Sequence, residues 1–149
     1  MKTAVVTGGT RGIGAALVKA FLASGWNVVY SGTSLETIEK SLEALRGQFP
    51  EDRYSAFTCE VSVETDLNRL WDSAVSTFGR VDIWVNNAGT SYDQTPFHEL
   101  PTGVFTRIID TNVKGLMLAT HVAYNRMLKQ GHGAIYNMEG LGSDGRRIT

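Results

Sequence analysis

Thr3-Ala4-Val5-Val6-Thr7-Gly8-Gly9-Thr10-Arg11-Gly12-Ile13-Gly14 decides how the chain must be read. An apolar run ends in three spaced glycines, and Ala15-Ala16-Leu17-Val18-Lys19-Ala20-Phe21-Leu22 follows with helical spacing. Strand, glycine turn and helix in that order form the context in which such glycines cradle a pyrophosphate. Gly8 permits the tight turn, Gly12 lets backbone approach the phosphates, and Gly14 lets helix and strand pack closely. The free N–H groups and positive dipole end of the helix then face the anion. A plain βα turn rich in glycine is the other reading of the same residues.

Outward from this turn, short apolar runs alternate with longer amphipathic ones, the pattern of βαβ units and a parallel sheet. Strands are predicted near 3–7, 27–31, 53–59, 81–86 and 133–138, and helices near 12–24, 34–47, 63–78, 99–110 and 112–130. Ser34 and Ser62 are candidate helix N-caps, each with a glutamate in the following turn. Gly25, Gly47 and Gly79 mark helix ends. The fold class is α/β, a Rossmann-type doubly wound parallel sheet of order 3-2-1-4-5, truncated after the fifth strand. Its crevice lies at the carboxyl ends of strands one and four. One domain over 1–149 is expected.

Composition agrees with a folded, soluble domain: 42% hydrophobic and 19% charged residues, with a formal net charge of −1. Nothing in this balance points to nucleic acid, and no apolar stretch reaches a membrane span. Cys59 is the only cysteine, so no intrachain disulfide can form. A reducing, cytoplasmic compartment is expected, and Met1 stands too close to the first strand to leave room for a signal peptide. His98, His121 and His132 lack metal-ligand spacing, so no metal site is expected.

Asn86-Asn87-Ala88-Gly89 follows the strand-like run Val81-Asp82-Ile83-Trp84-Val85. With Thr7 to Gly14, and with Asn112 in Asp110-Thr111-Asn112-Val113, it resembles the short-chain dehydrogenase/reductase family. Trp84 and the stretch Asn137-Met138-Glu139-Gly140-Leu141-Gly142-Ser143-Asp144-Gly145-Arg146 are similar to the chlorophyll b reductase branch of that family. The resemblance implies an NAD(P)-dependent oxidoreductase moving hydride between nicotinamide and a carbonyl or alcohol substrate, here the formyl group of a chlorophyll-like tetrapyrrole. It implies cofactor contacts from Gly8, Thr10, Arg11, Gly12, Ile13, Gly14, Ser31, Thr33, Ser34, Glu60, Val61, Asn86, Ala88 and Gly89. Asn87 is read as a sheet-stabilising residue.

Arg11 precedes the second motif glycine, where a cation suits the 2′-phosphate of NADP. Tyr30-Ser31-Gly32-Thr33-Ser34 carries none of the acid that would repel that phosphate, so NADP is expected over NAD. By resemblance Asn112 is catalytic, kinking its helix and holding a water in a proton relay. Glu139-Gly140-Leu141 stands where the family places its catalytic serine, and Ser143 is the nearest hydroxyl. No Tyr-x-x-x-Lys occurs: Tyr124 precedes Lys129 by five residues. The chain therefore reads as the N-terminal part of a longer enzyme, inactive alone and homo-oligomeric through the helices around Asn112. A non-catalytic dinucleotide-binding or interaction module is the alternative.

Overall fold

The computed structural model describes residues 1–92 and 95–139. Five parallel strands stand in the order β3-β2-β1-β4-β5, as expected. They are β1 (Thr3–Val6), β2 (Asn27–Gly32), β3 (Tyr54–Thr58), β4 (Ile83–Asn86) and β5 (Ala134–Asn137). Every residue of β1 and β2 is buried, because helices cover both faces of the sheet. The period-two pleat sorts their side chains into two cores. Val5, Val29 and Trp84 pack with Leu67, Leu70, Trp71, Ala119 and Ala123 on one face. Val6, Val28, Tyr30 and Val85 pack with Val18, Leu22 and Leu45 on the other. Trp71 stacks on Trp84 with ring centroids 6.0 Å apart.

The helices are α1 (Gly12–Ala23), α2 (Leu35–Glu43), α3 (Glu64–Phe78), α4 (Thr102–Ile109) and α5 (Leu116–Gln130). Ser34 caps α2, its hydroxyl accepting from the Thr37 amide at 3.3 Å. Ser62 does not cap α3: its hydroxyl donates to the Glu60 carboxylate at 3.1 Å, and Val63 takes the N-cap position without a side-chain bond. α2 stops at Glu43, short of the predicted 47, because the chain turns to bury Leu45 before Gly47. α4 begins at Thr102 instead of 99. Pro101 holds the extended N-cap conformation and cannot sit inside the helix. No helix among the described residues is long and apolar enough to cross a membrane.

The largest departure is between α4 and α5. Sequence spacing breaks the helix near 111, whereas the structure continues through a π-helical segment, Asp110–Gly115. Gly115 is the reason the segment can press against the sheet edge, since a Cβ there would lie 2.6 Å from Val61 Cγ2. A wider turn at this point swings Asn112 off the regular helical path.

Asp82 ties the start of the sheet together. Its carboxylate accepts from the Thr3 amide at 2.9 Å and from Arg80 Nε at 3.0 Å. Burial alone would raise this carboxyl. Arg80 and the Thr3 amide outweigh that, with a smaller contribution from His132, and hold it below the usual carboxylate range. A carboxylate lowered in this way stabilises the fold fully above its unfolded pKa of about 3.9, and progressively less as pH falls through the folded value. Asp82→Asn should therefore lower Tm at pH 7, and the gap to wild type should close as pH falls well below about 4. Parallel melting curves at every pH would remove the ion pair from the account.

Candidate functional site

The carboxyl ends of β1, β2, β3 and β4 meet in a cleft of about 570 Å³. Its floor is the turn from Thr7 to Gly14. Gly14 sits so close beneath the turn that a Cβ there would lie 2.2 Å from the Gly8 carbonyl oxygen and 2.5 Å from Asn87 Nδ2. Gly12 differs. Its φ is +55°, yet a Cβ on it would meet nothing within 4 Å, so its face opens into the cleft. α1 starts directly behind, with Arg11 at the N-cap, no side-chain cap and no acidic residue in its first turn. The first amide groups of such a helix have no intrahelical partner and attract an anion. This cradle fits a pyrophosphate.

A short polar network holds the turn against β4. The buried Thr7 hydroxyl accepts from the amides of Asn87 and Ala88, both at 3.0 Å. Asn87 Nδ2 returns two bonds, to the carbonyls of Thr7 and Gly8, also at 3.0 Å. Asn87 and Ala88 line the cleft, as does Gly89.

Asn86 is a correction. Only 4% exposed, it lies on the same strand face as Trp84 and away from the cleft. Its Oδ1 accepts from Trp84 Nε1 at 2.8 Å, and its Nδ2 donates to Thr120 Oγ1 at 2.9 Å and Asn137 Oδ1 at 2.8 Å. Asn86 thus joins Asn87 in stabilising the sheet, the role that sequence gave to Asn87 alone. Asn86 fastens β4 to β5 and α5, and Asn87, one residue past the strand, reaches the glycine turn. Ser34 is a second correction, because its hydroxyl is engaged at the α2 N-cap and it does not line the cleft.

Thr10, Arg11, Ile13, Ser31, Thr33, Glu60 and Val61 all line the cleft with the glycines Gly8, Gly12 and Gly14. Ser31 Oγ accepts from the Gly8 amide at 3.4 Å. The Glu60 carboxylate folds back to accept from the Ser62 amide at 3.2 Å. Cys59 lies beneath, 2% exposed. Burial pushes its thiol up to about 12, with the Asp66 and Glu60 carboxylates adding to the effect, so it stays protonated and unreactive. Arg11 and Arg107 are the two cations of the lining, and neither forms a salt bridge among the described residues. Sequence reasoning missed Gly32, Cys59, Asn87, Thr90, Arg107 and Thr111 as lining residues. For the last two, their spacing four apart ahead of Gly115 was the available signal.

Asn112 meets the backbone of Thr90 at two points: Oδ1 accepts from the Thr90 amide and Nδ2 donates to the Thr90 carbonyl, each at 2.8 Å. The π turn brings this amide to the loop after β4. Ser143 lies outside the described residues. If the clamp orders the loop, Asn112→Ala should raise hydrogen exchange at the Thr90 amide about tenfold, the loss of a bond worth about 1.4 kcal/mol. Exchange at wild-type rate would show that the loop holds itself.

The family model for short chain dehydrogenase matches residues 2–145. A chloroplastic chlorophyll(ide) b reductase of Oryza sativa subsp. japonica is 39% identical over 144 residues, 95% of this chain and 42% of that protein. A 3alpha-hydroxysteroid dehydrogenase of Mediterraneibacter gnavus is 36% identical over 140 residues, 94% of this chain and 56% of that protein. Among solved structures, ElxO with NADP bound matches with a TM-score of 0.82 at 31% identity, over 94% of this chain and 56% of that one. The chain thus spans about half, or less, of the length of these relatives.

Proposed function

The chain belongs to the short chain dehydrogenase family, and from that premise we propose that its cleft binds NADP for hydride transfer between the nicotinamide and a carbonyl or alcohol substrate. One observation carries the choice of NADP. Arg11 stands unpaired among the described residues at the uncapped start of α1, facing a β2 end that offers Ser31 and Thr33 and no carboxylate. A phosphate ester accepts charge-assisted bonds from a guanidinium and further bonds from hydroxyls, and an acid at the β2 end would repel it. That ElxO is a structural relative with NADP bound supports the same reading.

The glycine turn and the first amides of α1 would hold the pyrophosphate. Thr10 and Ile13 line the same cleft, and the Asn112 clamp keeps the Gly89–Thr90 backbone at the cleft wall. When bound, the nicotinamide supplies or takes up the hydride. For the substrate we propose an aldehyde or ketone class, with a chlorophyll-like tetrapyrrole as the candidate suggested by the rice relative. Proton donation is assigned to a tyrosine–lysine pair of the complete enzyme, since these 149 residues contain no Tyr-x-x-x-Lys. We further propose a cytoplasmic homo-oligomer, supported by the reduced Cys59 and by the exposed apolar residues Val113 on the π segment and Met117 and Tyr124 on α5.

NADPH should bind at least about tenfold tighter than NADH, a gap of about 1.4 kcal/mol, and Arg11→Ala should erase most of it. Fluorescence titration of both dinucleotides checks this, and equal affinities for the wild-type chain would sink the NADP assignment. The purified 149-residue chain should bind cofactor yet oxidise no NADPH when offered aldehydes. Turnover above background would mean that the proton donor lies among the residues described here as structural.

A further inference from the structure

Ser62 stands beside the start of α3 and does not cap it. Its hydroxyl donates to Glu60 Oε1 at 3.1 Å, and its amide donates to the same oxygen at 3.2 Å. The rest of Glu60 is held as closely. Its amide donates to Asp66 Oδ2 at 3.0 Å, and its carbonyl accepts from the Val63 amide at 2.9 Å. Among the described residues, Oε2 is the one polar atom of Glu60 left without a partner. A serine hydroxyl beside a helix start ordinarily serves the free amides of the first turn. Here it is spent on fixing a carboxylate.

That carboxylate lines the cleft, and no other acidic residue does so among the described residues. Its place along the cleft follows from the sheet order. In a doubly wound sheet the end of β2 marks the adenosine ribose. β3 is the next strand outward, and the Cys59 amide donates to the Gly32 carbonyl at 2.9 Å, which sets Glu60 directly beside the β2 end. A base attached to that ribose and pointing away from the switch point meets the β3 end. A carboxylate oxygen there repels phosphate and carbonyl oxygens and accepts from an N–H donor. The exocyclic amine of adenine is such a donor.

We infer that Ser62 is a positioning residue for base recognition, holding Glu60 so that Oε2 meets the exocyclic amine of a bound adenine. The inference rests on the dinucleotide reading above. It gives the cleft a preference for adenine over a purine with a carbonyl at the same position.

Nicotinamide hypoxanthine dinucleotide phosphate carries that carbonyl in place of the amine. By fluorescence titration, the wild-type chain should bind NADPH at least about tenfold tighter than the reduced hypoxanthine analogue. Ser62→Ala should narrow the ratio to about threefold by weakening NADPH, with unchanged circular dichroism, and Ser62→Thr should restore it. Glu60→Ala should abolish the ratio. A serine that only supported the turn into α3 would lower both affinities together, so a ratio unchanged in Ser62→Ala or in Glu60→Ala overturns the inference. Equal wild-type affinities for the two dinucleotides overturn the base contact and leave the cofactor reading intact. A wild-type chain that binds neither refutes the cofactor reading itself.

Discussion

Two polar side chains, Thr7 and Asn87, hold the ends of β1 and β4 in one rigid corner. The Thr7 hydroxyl collects two amides from the start of the β4 loop, and the Asn87 amide returns two donors to the carbonyls of the glycine turn. Turn carbonyls facing a cleft would otherwise repel an approaching phosphate. Turned toward Asn87, they leave the N–H side of the backbone to the ligand. Gly14 can lie against this corner only because it has no side chain. Everything that could bind at the strand ends is placed by a network of a few bonds at 3.0 Å, and the sheet behind serves to keep those bonds in register.

The sheet order and the location of the cleft were legible because they follow from period. Val5 and Val6 are apolar without alternation, which marks a strand buried on both faces, and the glycine spacing after them admits few other structures. The roles of Asn86 and Asn87 were legible only in part: Asn87 was read as sheet-stabilising, whereas the inward turn of Asn86 was not. The two are adjacent and chemically identical, and only the pleat decides which faces the core. Placing Trp84 inward forces Asn86 inward too, so a reading that began from the buried tryptophan would have assigned them correctly. A kink at Asn112 was expected from the resemblance, but its π-helical form was not legible, because it accompanies the approach of Gly115 to Val61, a contact between residues distant in sequence.

The described residues build a holder more completely than a reaction centre. Backbone amides, hydroxyls and two arginines line the cleft, and Glu60, its one carboxylate, is folded onto Ser62. Preorganised donors of this kind favour an anionic ligand and do not themselves exchange protons near neutral pH. Asn112 belongs with the holder as well, because its Oδ1 and Nδ2 each make a bond to the backbone of Thr90. Its side chain therefore bears on geometry first, by fixing the loop between the cleft and α4.

Cys59 gives the molecule a property unrelated to ligands. It is the sole thiol of the chain, 2% exposed beneath the cleft and protonated across the physiological range. At 2% exposure on the cleft floor, it meets alkylating reagents only when the floor opens, since thiolate chemistry requires both access and ionisation. Its labelling rate is thus an internal clock of core opening, single-site and free of competing cysteines. Any condition that steadies the strand ends must slow that clock.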